Sequence, residues 1–341
     1  RRNITPKGFS ACSLDDNQVN GTDANYRSVW ARDGAKCVMW SVDLADEDIR
    51  TCQAATLRTI LEHQAPAGQL PAHVLIDTDK AEYGGVGGIT SIDGALWTIV
   101  AVWWYSQETG DCSIVEEYSE RLQRAMDWLS GLDSNNCGLL EIPEAGDWTD
   151  LFARSYHVLY DEVLWHRCLG CYGRILRHLG NEERAAGYES WGEHVKRVIL
   201  QRFWPSTTME QHEGHLDFSS AQSQLGDARY LVAQISPFSY SWRCDVYGNL
   251  LAYLTGLLDK ERAMMTFRFL WGVGVNEPGP VKNSYPPIHA GDPEWRHYFT
   301  VNLLNLPDHY HNGGIWPFIG GVWGRDIHKL GIADAAPPAL G

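Results

Sequence analysis

Residues 94–105 read GALWTIVAVWWY, twelve positions with no polar face. A helix that is apolar all round is enclosed by protein on every side. The stretch that follows, 114–129, differs: Val115, Tyr118, Leu122, Met126 and Leu129 recur at helical spacing, with Glu and Arg between them. That pattern is an amphipathic helix with one covered face. The same couple recurs along the chain. Residues 34–45 (GAKCVMWSVDLA) precede an amphipathic 47–63 that carries Ile49, Cys52, Ile60 and Leu61. Residues 157–179 precede 182–203, striped by Tyr188, Trp191, Val195 and Ile199, and 246–258 precede 260–272. A last apolar segment runs from Trp316 to Leu330. Alternating strand patterns are sparse, with a candidate near 231–243. Inner helix, then outer helix, repeated every 55–65 residues or so, predicts an all-α double ring of helices. We read 1–341 as a single domain, with 1–25 and 331–341 as peripheral termini.

The composition narrows the function. The 341 residues carry a formal net charge of −15, which argues against a nucleic-acid groove or an anionic membrane surface as partner. No apolar run reaches the roughly 18 residues of a membrane span. Fifteen Trp and fifteen Tyr are many for a plain core, and several Trp stand beside Asp, Glu, Gly or Pro. The eight cysteines show no regular framework, and Cys168-Leu-Gly-Cys171 falls inside an apolar helical stretch, so structural thiols and a cytoplasmic setting are expected. Asn3-Ile-Thr and Asn20-Gly-Thr match the glycosylation pattern without a secretory context. The oligomeric state is left open, a homo-oligomer included.

What precedes each inner helix points to chemistry. Trp30-Ala-Arg32-Asp33-Gly opens the first and Ser91-Ile-Asp93-Gly-Ala-Leu-Trp97 the second. Gly146-Asp147-Trp148-Thr-Asp150 lies ahead of the third, and Trp242-Arg-Cys-Asp245 opens the fourth. Trp295 and His309-Tyr-His-Asn-Gly-Gly314 lead into the last. Parallel inner helices would gather these loops at one mouth. Carboxylates accept sugar hydroxyls and indoles cover a sugar's apolar face, so the expected ligand is a small neutral carbohydrate. A structural reading stands beside this one: Asp33, Asp93 and Asp245 sit where N-caps sit, and Arg32 with Asp33 could form an ion pair that orders a helix start. His309 and His311 are two apart, with no third ligand at metal-binding spacing.

These motifs resemble the six-hairpin (α/α)6 glycoside hydrolases, above all the alkaline/neutral invertases and the glycogen-debranching amylo-1,6-glucosidases, over about residues 26–330. Trp30-Ala-Arg32-Asp33 and Asp93-Gly-Ala-Leu-Trp97 look like sugar-holding motifs of those families. Gly146-Asp-Trp-Thr-Asp150 is similar to the Asp-Trp-Met-Asp of debranching enzymes, whose last Asp is the general acid, and Arg154 follows as in the trehalase acid motif. Glu294-Trp-Arg296 and Tyr310-His-Asn-Gly-Gly-Ile-Trp-Pro317 resemble the invertase Glu-Trp-Arg and Tyr-His-Asn-Gly-Gly-Ser-Trp-Pro, in which the Glu is the base.

The resemblance implies an (α/α)6 toroid and an inverting glycoside hydrolase that needs no cofactor or metal, only water and two carboxyl groups. It assigns Asp150 as acid, with Asp147 as the competing candidate, and Glu294 as base, with Arg296 expected to help keep Glu294 ionised. Substrate contacts are expected from Arg32, Asp33, Asp93, Trp30, Asp147, Trp148, Trp295, His311, Asn312 and Trp316. The expected substrate is a small α-glucoside such as sucrose. The alternatives are an α-glucosidase on gluco-oligosaccharides, a sugar 2-epimerase, and a non-catalytic carbohydrate-binding protein.

Overall fold

The structure is a computed structural model that describes residues 1–15, 26–206 and 225–332, so Asn20 of the second glycosylation pattern lies outside it. Contacts within the chain gather into two compact units. One comprises Arg1–Leu140, Gly146–Trp148 and Arg167–Gly192, the other Glu141–Ala145, Thr149–His166 and Glu193–Gly341.

In the first unit, strands β1 (Ile4–Thr5) and β2 (Gly8–Phe9) form a hairpin. Strand β3 (Ser28–Trp30) feeds directly into helix α1 (Ala31–Ser41), followed by α2 (Glu47–Glu62). The hairpin docks on α2, where Thr56 Oγ1 accepts from Phe9 N at 2.9 Å and Thr59 Oγ1 donates to Lys7 O at 2.7 Å. Strands β4 (His73–Leu75) and β5 (Ala81–Glu82) complete a three-stranded antiparallel sheet with β3. Helix α3 (Asp93–Thr109) is the enclosed helix that its composition predicts, buried from Asp93 through Val102 and again at Tyr105 and Ser106. Trp103 and Trp104 are half-buried, with the Arg167 guanidinium 5.6 Å from the Trp104 ring centre. The amphipathic 114–129 is two helices, α4 (Ser113–Glu117) and α5 (Ser119–Ser130), because Tyr118 leaves helical geometry (φ −108°). Leu122, Ala125, Met126 and Leu129 form the buried stripe of α5.

Helices α6 (Leu159–His178) and α7 (Glu182–Phe203) match their sequence periodicity closely, and the buried Cys168 and Cys171 thiols lie within α6. Burial pushes both thiols up, in keeping with inert packing groups.

The second unit holds a four-stranded antiparallel sheet in the order β6-β7-β8-β9: β6 (His157–Val158), β7 (Val232–Ile235), β8 (Tyr240–Asp245) and β9 (Ser284–Tyr285). The β7–β8 hairpin occupies the one region whose sequence alternates. Asp245 closes β8 and caps the helix Val246–Leu254, its Oδ1 accepting from Gly248 N at 3.1 Å. The next helix, Lys260–Gly272, is capped by Asp259, and the last, Pro317–Leu330, starts on a proline and stops at left-handed Gly331 (φ 76°). Among the described residues, no helix is long and apolar enough to cross a membrane.

Candidate active site

The second unit contains both carboxylates expected to do chemistry. Asp150 belongs to a segment whose backbone is held from outside. Asn305 Nδ2 donates to the carbonyls of Asp150 (3.2 Å) and Leu151 (2.9 Å), and Leu151 sits in the left-handed region at φ 51°. A leucine keeps that conformation only where its surroundings impose it. Two residues beyond Asp150, Phe152 stacks on Phe299 with ring centres 5.1 Å apart and planes 7° from parallel. Phe152, Ala153, Ile288 and Phe299 form a buried cluster against which Trp295 and Tyr298 pack. The loop before Asp150 is tied to the same segment: Glu144 accepts from Tyr298 Oη (2.5 Å) and from Arg296 Nε and Nη2 (3.2 Å each).

Asp150 is one-fifth exposed and its Oδ2 accepts from Tyr310 Oη at 3.0 Å, with His311 Nε2 3.9 Å away. The 310–316 motif is explained almost residue by residue. Three buried asparagines knit it into the unit. Asn283 Nδ2 donates to His311 O and its Oδ1 accepts from Gly313 N. Asn305 Oδ1 accepts from His311 N, and Asn312 uses its amide on the backbone of Ile288 and Asn305. Gly313 is left-handed (φ 91°), and a side chain at Gly314 would run into the backbone of Tyr310. Trp316 Nε1 donates to Tyr310 O at 3.0 Å, and its ring lies parallel to His311 at 5.1 Å.

Glu294 is held from β8. Ser241 Oγ donates to its Oε1 at 2.6 Å, and Arg243 Nη1 donates to its Oε2. Arg243 also donates to Asp292 Oδ2 (2.6 Å) and to Pro286 O (3.1 Å). Arg296 donates to Glu144 and to the carbonyls of Pro293 and Trp295; its pKa is raised first by Glu144, with the charge of Glu294 a smaller contribution, and the cation hydrogen-bonded to Glu294 is Arg243. Asp245, two positions beyond Arg243 along the strand, accepts from Arg154 Nη1 at 2.7 Å. His157, Asp161 and Glu162 are buried nearby in sequence, with His157 Nδ1 3.7 Å from Glu162.

In the first unit, Arg32 makes a bidentate pair with fully buried Asp93 (2.5 and 2.9 Å). Its Nη2 also reaches Ser91 Oγ (3.1 Å) and Asp147 O (3.0 Å). The partner of Arg32 is therefore Asp93 and not Asp33, which is exposed. Capping holds for Asp245 alone of the three: Asp33 is the third residue of α1 and Asp93 the first of α3, and neither helix has a side-chain cap. Asp147 and Trp148 are buried. Trp30 is half-buried and stacks on His73 across the β3–β4 pair at 4.1 Å. One turn beyond Arg32, Lys36 is buried with its Nζ 5.3 Å from the centre of the Trp97 ring, and burial lowers its pKa to about 8.

The structure thus brings Arg32, Asp93 and the Asp147 carbonyl together, three of the expected site residues, and adds Arg243, Ser241, Glu144, Tyr298 and Lys36, which sequence reasoning missed. The available signal for the first two was the alternation Ser241, Arg243, Asp245, which puts three polar side chains on one face of a strand.

Comparison with known proteins places the fold. Residues 21–241 match the model of the bacterial alpha-L-rhamnosidase 6 hairpin glycosidase domain, and residues 222–329 match that of alkaline and neutral invertase. Cytosolic invertase 1 of Oryza sativa subsp. japonica is 22% identical over 278 residues, 72% of this chain and 48% of the relative. The chain thus spans about half the length of that curated relative. Among solved structures, a GH63 mannosylglycerate hydrolase from Thermus thermophilus in complex with Tris superposes with a TM-score of 0.65 at 12% identity, covering 98% of this chain and 86% of the other. A rhamnosidase from Klebsiella oxytoca with rhamnose bound gives 0.56 at 14% identity, over 90% and 47%. These likenesses show the fold, the helix-rich (α/α)6 architecture expected from the paired helices. With the family model spanning well over half of its length, the chain belongs to the six-hairpin glycosidases.

Proposed function

We propose that the protein is an inverting glycoside hydrolase in which Asp150 is the general acid and Glu294 the general base, acting on a small α-glucoside of the sucrose kind. The observation that carries this reading lies within one unit. The Asp150 segment and the Glu294 segment share one buried aromatic cluster and one polar strap, so the two stretches of chain that carry these carboxyl groups are braced against each other. Hydrolysis with inversion needs such a fixed pair, one group protonating the leaving oxygen while the other takes a proton from the attacking water. Asp150 is the better acid candidate than Asp147, because Asp147 is buried and Asp150 is partly open. Glu294 meets the requirement on a base through Arg243 and Ser241, whose hydrogen bonds hold its carboxyl group in place.

Sugar contacts in this proposal come from Trp295 and Trp316, with His311 buried beside Asp150. In the first unit, Asp33 and Trp30 keep the exposed surface that a sugar contact needs. Arg32, Asp93 and Asn312 act by holding backbone in place, and buried Asp147 and Trp148 act from within the fold. No cofactor enters the scheme. The proposal keeps the cytoplasmic setting, supported by cysteines that form no disulfide.

A second reading, an α-L-rhamnosidase using the same two carboxyls, is favoured by the family model over residues 21–241. Proton NMR of the products from sucrose, maltose, isomaltose, an aryl α-L-rhamnoside and mannosylglycerate separates the two. Glucose released from sucrose or maltose first as the β-anomer supports the proposal. Rhamnose release alone selects the second reading, first release of the α-anomer refutes inversion, and binding without products refutes hydrolysis.

A further inference from the structure

We infer that Tyr310 is a positioning residue for the acid: its hydroxyl occupies Asp150 Oδ2, so that the catalytic proton resides on Oδ1, and it stabilises the carboxylate left when that proton departs. The inference rests on the reading of Asp150 as the acid.

A neutral carboxylic acid has one carbonyl oxygen and one hydroxyl, and the carbonyl oxygen is much the stronger acceptor for a phenol. Tyr310 Oη lies 3.0 Å from Oδ2. It is therefore Oδ2 that plays the carbonyl part, and the proton belongs to Oδ1. As the glycosidic bond breaks, the Oδ1 proton passes to the leaving oxygen and the electron pair of the O–H bond stays on Asp150. The phenol keeps its own proton, and its hydrogen bond becomes charge-assisted and stronger as negative charge develops. Such a donor favours the transition state over the ground state, so it raises kcat more than it lowers KM.

Several features keep that hydroxyl in place. Tyr310 is left-handed at φ 43°, a conformation a tyrosine adopts only under constraint. Its carbonyl is fixed by the Trp316 indole, and the close approach of residue 314 to its backbone leaves room for glycine alone. Its ring packs against both His311 (3.9 Å) and Trp316 (5.4 Å), which also stack on each other. Much of the Tyr-His-Asn-Gly-Gly-Ile-Trp run is accounted for by this one placement.

The test compares Tyr310→Phe and Asp150→Asn on two substrates of the same sugar, one with a poor alcohol leaving group and one 2,4-dinitrophenyl glycoside, whose leaving group departs unprotonated. General acid catalysis is worth roughly 10²–10⁴-fold, so Asp150→Asn is expected to lose about that on the first substrate and little on the second. Tyr310→Phe is expected to lose kcat by roughly 10- to 100-fold on the alcohol glycoside, with KM within about twofold, and less than about threefold on the dinitrophenyl glycoside. Equal losses on both substrates, or none on either, would overturn the role of Tyr310 while leaving the acid assignment standing. If Asp150→Asn itself shows no dependence on the leaving group, the acid assignment falls and the inference falls with it.

Discussion

Arg154 and Asp245 meet in an ion pair that is almost wholly out of solvent, the two side chains 6% and 0% exposed and 2.7 Å apart. Asp245 also caps a helix, while Arg154 follows the acid segment by four residues, so the pair joins the end of β8 to the chain that carries Asp150. Breaking a buried pair from one side strands the other charge, which costs about 3–5 kcal/mol. Arg154→Met should lower the urea-unfolding free energy by that order, and the double variant Arg154→Met/Asp245→Asn should recover part of the loss. A single variant as stable as the parent would show that the pair contributes nothing net.

Phe152→Ala should remove roughly 3–5 kcal/mol, as large-to-small changes in aromatic cores do. Because the ring lies under the acid segment, activity at a temperature where the protein is folded should also drop. Leu122→Ala, which empties a comparable buried position on α5, supplies the control. Kinetics of the two side by side decide the matter: parallel activities would mean that the Phe152–Phe299 stack supports the fold alone.

Glu294→Gln keeps the shape and the hydrogen bond from Ser241 but removes the proposed base. It is expected to reduce kcat by roughly 10²–10⁴-fold with substrate affinity close to the parent's. Calorimetric titration of substrate into the variant gives the affinity directly. Weakened binding with an unchanged kcat would reassign Glu294 to substrate recognition.

Asp326 lies on the helix Pro317–Leu330, fully buried and with no hydrogen-bond partner among the described residues, and burial raises its pKa to about 8 against the opposing pull of Lys329 and Arg325. Its folded-state pKa stands above the unfolded value of about 3.9, so the folded form holds the proton longer. The stability it affects is therefore intact at acid pH and declines as pH rises from about 4 towards 8. Asp326→Asn should unfold at nearly the parent's temperature at pH 4 and at a clearly higher one at pH 8. Thermal scans across that range would contradict the linkage if the two curves kept a constant offset.

The helices were legible because their signal is local. The enclosed α3 needs only its own composition to be recognised, and α5 only its own stripe. The Tyr-His-Asn-Gly-Gly turn was legible as a motif for a related reason, since its glycines answer to contacts a few residues away. Partner choice was not legible. Arg296 stands two residues from Glu294 and yet bonds Glu144, 152 positions distant, because the strap across the aromatic cluster decides which carboxylate its guanidinium can reach. Arg32 likewise bypasses its exposed neighbour Asp33, one step along the helix, for Asp93 at the start of α3. The short strands β3 to β6 were missed since two or three residues carry no period to read.

Strand β8 places Ser241, Arg243 and Asp245 on one side while Trp242 faces solvent, and those three alternate residues hold Glu294 at one end and Arg154 at the other. The alternation makes the strand a phase-sensitive device. Adding or deleting one residue between Arg243 and Asp245 would put the two attachments on opposite faces, so that one of them is released, whereas the turn at 236–239 lies outside that count. The spacing of this strand therefore cannot drift by an odd number without losing an attachment to Glu294 or to Arg154.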